Sequence, residues 1–214
     1  MDDSVGPRLA IASQLAGVRD ERVLAAMAAV DRRFFVPPHM RPLAQEDAPI
    51  PIPHRQTTSQ PSLVAQMGEA LHLSEGDRVL EVGTGLGYQA AVLSLLCGRV
   101  VSIERFADLA DQARANLRAA GIDNVEVVHG DGMRGHPPLA PYDAIVVAAA
   151  APRVPRPLVE QLAEGGVLVQ PIGPGGAEEV TAFTKKHGAL ENPRPVVGAT
   201  FVPLVSDRSV GEEP

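Results

Sequence analysis

The stretch Asp77-Arg78-Val79-Leu80-Glu81-Val82-Gly83-Thr84-Gly85-Leu86-Gly87 decides the fold. Asp77 to Leu80 supplies the approach of a buried strand, and Tyr88 to Cys97 reads as a helix rich in Ala and Leu. Strand, glycine turn and helix in that order form the corner of a βαβ unit, where missing side chains let backbone approach a ligand closely. A dinucleotide fingerprint needs a glycine at position 88, where this chain has Tyr88. Two acids mark the turn instead. Glu81 stands two residues before the first glycine, and Glu104 closes the next expected strand.

Outward from that corner the chain alternates regularly. Strands are expected at 78–83, 100–104, 125–129, 143–148, 166–171, 180–185 and 197–203, with helices at 87–97, 107–120 and 155–163. Gly121 stops the second of these helices. Such alternation predicts an α/β fold: a doubly wound, mostly parallel, seven-stranded Rossmann-like sheet with helices on both faces. No long helix separates the last two strands, so an antiparallel edge is expected. Upstream, apolar residues at helical spacing predict two short helices within 8–30, broken near Gly17. Residues 34–61 carry Pro37, Pro38, Pro42, Pro49, Pro51, Pro53 and Pro61, which predicts an extended, irregular segment. Interleaved Phe34, Phe35, Val36, Leu43, Ile50 and Ile52 argue that it packs. Pro61 then opens a helix to about Leu73, capped by Thr58, Ser59 or Gln60.

A chain of 214 residues can bury one substantial core. We expect a single domain over 1–214: a helical and irregular substrate-side segment at 8–61, a cofactor-binding core at 62–205, and a frayed polar tail at 206–214. The net charge of −7 would repel a phosphate backbone, and 3% aromatic residues leave few stacking platforms, which argues against nucleic acid. The six histidines show no metal-ligand spacing and Cys97 stands alone, so no metal and no internal disulfide are expected. No apolar run is long enough to span a bilayer and no signal core opens the chain, so a cytoplasmic setting without a membrane partner is the expectation.

Acid-x-Gly-x-Gly-x-Gly followed by a second acid about 20 residues on resembles the cofactor site of S-adenosylmethionine methyltransferases. On that reading the turn residues Gly83, Thr84 and Gly85 face the cofactor, and Glu104 accepts both ribose hydroxyls; a lone strand-end acid would more often be solvated. Asp131, after the strand 125–129, can take the exocyclic amine of adenine with Gly132 leaving room for the ring, although Asp-Gly is also an ordinary turn. The fourth strand runs into Ala148-Ala149-Ala150-Ala151-Pro152, which lacks the polar clamp of base-amine methyltransferases. It is either a smooth slot for peptide backbone or a tightly packed helix start. Thr57, Thr58 and Ser59 place three hydroxyls at a helix N-terminus, which suits an anion or plain capping.

These residues lead to a family. Over roughly positions 8 to 205 the chain resembles protein-L-isoaspartate O-methyltransferases. The resemblance is carried by Phe35-Val36-Pro37, Pro49-Ile50-Pro51-Ile52, Gln56-Thr57, Ser59-Gln60-Pro61, Val79 through Ala91, Gly130-Asp131-Gly132, Ala149-Ala150-Ala151-Pro152 and Phe201-Val202-Pro203-Leu204. It implies a cytosolic, monomeric repair enzyme that moves a methyl group from S-adenosyl-L-methionine to the α-carboxylate of isoaspartyl residues in damaged proteins and peptides. The ester would then close to a succinimide. It further implies Ser59 at the catalytic position; Glu81, Gly83, Thr84, Gly85, Glu104, Asp131 and Gly132 at the cofactor; Thr57, Thr58, Ala149 and Ala150 at the substrate; and an altered order of the last two strands.

The chain departs from the family at several positions. Arg55 replaces a usual glycine, Thr58 an aliphatic residue, Gln45 a tyrosine, Asp31 a proline and Glu179 a glutamine. Arg55 bears on substrate entry, since a long cation there could strengthen binding or block the peptide. Two rivals follow: methylation of an aspartate in a dedicated precursor peptide to give an aspartimide, and a catalytically silent methyltransferase-like binding module.

Overall fold

The structure is a computed structural model that describes residues 5–174 and 176–205; the expected fraying of 206–214 lies outside the described residues. The chain opens with helices α1 (Val5–Leu15) and α2 (Glu21–Ala29). Asp20 caps α2, its carboxylate accepting from Arg22 N at 2.8 Å and Val23 N at 3.4 Å. The proline-rich segment is more ordered than expected. It folds into 3₁₀ turns and a short antiparallel hairpin of β1 (Ile50–Ile52) and β2 (Gln56–Thr58). The prolines forbid a helix but leave alternate backbone groups free to pair, and Ile50 and Ile52 turn inward as anchors.

Helix α3 (Pro61–Ala70) leads into the sheet, built from β3 (Arg78–Val82), β4 (Arg99–Glu104), β5 (Val125–His129), β6 (Tyr142–Val147), β7 (Leu162–Ile172), β8 (Glu178–Lys186) and β9 (Ala189–Ala199). Its spatial order is β5-β4-β3-β6-β7-β8-β9. The first five strands of that order run parallel, and β8 and β9 add as an antiparallel meander. Helices α4 (Tyr88–Ser94), α5 (Ala107–Ala119) and α6 (Arg156–Gln161) make the crossovers. The fold class is the expected one. The last strand differs: β9 ends at Ala199, and 200–205 returns as a loop in which Ala150 bridges Pro203. Pro203 has no amide to donate to a ladder, so the segment pairs only at isolated points.

Strand alternation sorts the core into two faces. Val79, Val100, Ala144 and Val146 pack towards α1–α4, while Leu80, Val82, Val101, Ile103, Ile145 and Val147 pack with Leu158 of α6. Glu81 shares the face of Val79 and lies in register with Ser102, so two polar side chains meet inside an apolar layer. Strand order reverses at β3, between β4 and β6, which is where such sheets bind ligands at their carboxyl ends. Among the described residues no helix is long and apolar enough to cross a membrane.

Candidate active site

The glycine turn after β3 follows its composition. Gly83, Gly85 and Gly87 have φ of 96°, 56° and 99°, which a side chain would strain. The turn's amides point inward: Gly83 N and Thr84 N donate to Ile103 O at 2.9 and 3.3 Å, and Gly87 N to Thr84 O at 2.9 Å. Gly85 N donates to Glu104 Oε2 at 2.8 Å, and Phe106 N to Glu104 Oε1 at 3.0 Å. A turn whose amides are consumed this way offers little to a phosphate, and the Glu104 carboxylate would repel one. It still leaves Glu104 lone pairs for hydroxyl donors.

Glu81 is wholly buried beneath the turn. Ser102 Oγ donates to its Oε2, Thr84 Oγ1 lies 2.6 Å from Ser102 Oγ, and Glu81 Oε1 has no partner among the described residues. Burial pushes the Glu81 carboxyl up to about 8, with the Ser102 hydrogen bond opposing and the Glu104 charge adding. A cationic ligand nearby is the natural complement of this acid pair.

An open cavity of about 870 Å³ covers the turn, lined among others by Gly83, Thr84, Gly85, Glu104, Phe106 and Gly132. Its roof is the β1–β2 hairpin. The hairpin's tip is clasped to α5: the His54 ring stacks on Phe106 with centroids 4.1 Å apart and planes 1° from parallel. His54 Nε2 also lies 2.9 Å from both Asp108 oxygens, and that hydrogen bond holds the Asp108 carboxyl below its usual range.

A second cavity, of about 1040 Å³, adjoins the first, and the two share Thr57, Ser59, Ala148 and Val202. The Ser59 hydroxyl makes no hydrogen bond among the described residues. Among the described residues the second cavity carries no charged side chain; besides Thr57 and Ser59, Gln60, Ser62, Gln66 and Thr200 provide its polar groups. One expectation needs correcting. The helix N-terminus behind Ser59 is not open to an external anion, because Asp47 already fills it. Ser62 N donates to Asp47 Oδ1 at 2.8 Å and Gln60 Nε2 to Asp47 Oδ2 at 2.9 Å.

The remaining expected residues divide. Thr57 lines both cavities, and Ala149 lines the first. Thr58 lines the first but is buried, with its hydroxyl accepting from Arg32 Nη2 at 2.8 Å. Asp131 lines neither; it caps its own turn, accepting from Met133 N at 2.9 Å. Ala150 lines neither, its backbone being held by Val202 O and Leu204 N. Arg55 sits with φ 56° in the hairpin tip and also lines neither cavity. A φ of that sign is one that glycine adopts without strain. Asp31 caps the next turn through Arg33 N, and Gln45 Oε1 accepts from Arg8 Nη1. Arg32, fully buried, was not singled out by the sequence; with Arg33 between it and the apolar run Phe34-Phe35-Val36, nothing local sets it apart from its exposed neighbour.

The cavity at the switch point suits a ligand that brings hydroxyls and positive charge but no phosphate. S-adenosylmethionine is such a ligand, and fold and cavity place the chain among the methyltransferases that use it. Comparison with known proteins narrows this further. Residues 9–209 match the family model described as Protein-L-isoaspartate(D-aspartate) O-methyltransferase (PCMT). The chain belongs to the protein-L-isoaspartate O-methyltransferase family. It is 52% identical over 189 residues to the protein-L-isoaspartate O-methyltransferase of Methanoculleus marisnigri, covering 88% of this chain and 86% of that one. A solved protein-L-isoaspartate O-methyltransferase superposes with a TM-score of 0.82 at 32% identity, over 93% of this chain and 65% of that chain. A Plasmodium falciparum structure described under the same name, in complex with S-adenosyl-L-homocysteine, superposes with a TM-score of 0.81 at 26% identity, over 94% and 98%.

Proposed function

We propose that this chain methylates the α-carboxylate of L-isoaspartyl residues in damaged proteins and peptides, with Ser59 orienting the acceptor. The observation that carries the reading is the meeting of two cavities at Ser59, one beside the glycine turn and Glu104, the other uncharged and open. Family membership supports the substrate class. Bound S-adenosylmethionine would supply an electrophilic methyl group on a sulfonium sulfur, seated by Gly83, Thr84, Gly85, Glu104 and Gly132. Glu81 would act from below the turn, and Asp131 by holding the Gly132 turn in place.

The acceptor is ionised at neutral pH and needs no general base. The chain's task is alignment. The Ser59 hydroxyl, without a partner among the described residues, donates to the acceptor carboxylate and sets its line of approach. Thr57 and Ala149 form the walls beside it, and the hairpin roof excludes water. Such alignment can supply roughly 7–11 kcal/mol of the barrier. Action as a monomer is part of this reading. A cytoplasmic setting, without nucleic-acid or membrane partners, completes the reading; the acidic balance of the chain speaks against nucleic acid. The silent-module rival rested on Arg55, which lines neither cavity.

Labelled-methyl transfer to an isoaspartyl peptide, set against its normal aspartyl twin, tests the reading. Label should enter the isoaspartyl peptide alone. Ser59→Ala should slow turnover by about ten- to a hundredfold while S-adenosylhomocysteine still binds. Equal labelling of the twins would remove the substrate assignment, and undiminished turnover in Ser59→Ala would remove the role of Ser59.

A further inference from the structure

We propose that Arg32 is a positioning residue for the methyl transfer, its guanidinium fixing the backbone that presents Ser59 between the two cavities. This rests on the reading of Ser59 given above. Arg32 begins a 3₁₀ turn, Arg32–Phe35, and its side chain is completely buried. Every hydrogen-bond partner of its fork is a neutral oxygen. Nη1 donates to Glu46 O at 2.9 Å; Nη2 donates to Ala48 O at 2.9 Å, Thr58 Oγ1 at 2.8 Å and Ser59 O at 3.2 Å. The guanidinium lies 5.4 Å from the centre of the Tyr88 ring.

A buried cation with no carboxylate hydrogen-bonded to it among the described residues, and only the Asp47 charge nearby, is an expensive way to fill space. An apolar side chain of similar volume would serve packing as well or better. Burial accordingly lowers the pKa of Arg32, with Tyr88 and the Asp47 charge opposing. What the guanidinium adds is a rigid planar fork that binds several oxygens in fixed directions. Here it joins three pieces of chain: 46–48, 58–59, and Tyr88, the first residue of α4 and part of the cofactor cavity wall.

The geometry of the Ser59 segment completes the argument. The Ser59 carbonyl is held by Arg32, while Asp47 holds Gln60 Nε2 and Ser62 N. The carbonyls flanking Asp47, those of Glu46 and Ala48, are themselves held by Arg32. Ser59 is thereby clamped from both sides with its hydroxyl left unbonded among the described residues. Thr58 adds a hydroxyl acceptor to the backbone carbonyls that the fork holds.

A double-mutant cycle on the full chain separates positioning from mere packing. Arg32→Met keeps the volume and removes the fork. We expect its kcat on an isoaspartyl peptide to fall about ten- to a hundredfold, as a displacement near 1 Å can produce. S-adenosylhomocysteine affinity by titration calorimetry should stay within about threefold, since the glycine turn and Glu104 are untouched. Added to Ser59→Ala, Arg32→Met should cause little further loss. Normal kcat in Arg32→Met, or the same loss with and without Ser59→Ala, overturns the inference while leaving Ser59 in place. Undiminished turnover in Ser59→Ala removes the reading of Ser59 and this inference with it. Should Arg32→Met fail to fold, Thr58→Val decides: it deletes one acceptor and leaves three carbonyls. A loss of about three- to tenfold in kcat, absent in the Ser59→Ala background, supports the inference, and an unchanged kcat overturns it.

Discussion

Glu81→Gln should remove a pH dependence of stability that the wild-type chain carries at the heart of its sheet. Glu81 has no exposed surface and, among the described residues, one hydrogen-bond donor in Ser102 and an oxygen, Oε1, with no partner. Its carboxyl is raised from 4.5 when unfolded to about 8 when folded. Between those values the native chain binds a proton that the unfolded chain has released, so stability falls as pH rises. The stabilisation is fully present below the unfolded value and lost progressively on the way up to the folded one. At about 1.4 kcal/mol per pH unit the whole interval amounts to about 5 kcal/mol. Glutamine copies the protonated acid in shape and can still accept from Ser102, but it does not titrate. Urea unfolding of both chains at three pH values between about 5.5 and about 7.5 reads the effect. The stability of the variant relative to wild type should grow by roughly 3 kcal/mol across that interval. A constant difference would show that Glu81 is already ionised in the fold, and the argument for an acid pair awaiting a cation would lose its base.

Two further substitutions test the roof and the cofactor cavity. Arg55→Gly should stabilise the chain by about 0.5–1 kcal/mol, the relief of a left-handed side chain less the greater freedom of unfolded glycine. It should leave KM for isoaspartyl peptide unchanged because Arg55 lines neither cavity. A destabilised variant, or a raised KM, would contradict that placement. Glu104→Gln converts one of the two oxygens held by Gly85 N and Phe106 N into a donor. S-adenosylhomocysteine affinity should fall about ten- to a hundredfold by calorimetry, and unchanged binding would take Glu104 out of the site.

The glycine turn was readable because its information is local. Apolar spacing sets the strand, three glycines at alternate positions permit positive φ, and Glu81 and Glu104 end up together because β3 and β4 are consecutive parallel strands. Thr57, Ser59 and Ala149 were readable through the family resemblance, and all three line the cavities. The ordering of 46–60 was not readable. Proline spacing says that a segment is extended, not which way its hydroxyls point. Thr58, one residue before Ser59, turns inward to Arg32.

By itself the sequence determined the βαβ corner, the alternation that builds a doubly wound sheet, and the kind of ligand its acids would accept. Tertiary structure alone decided how the Ser59 segment is held: Asp47 meets α3 across 15 residues, Thr58 meets Arg32 across 26, and His54 meets Asp108 across 54. The reason is physical. Periodicity and turn chemistry act between residues a few positions apart, whereas a buried fork or a clasp finds its partners only after the core has brought distant segments together.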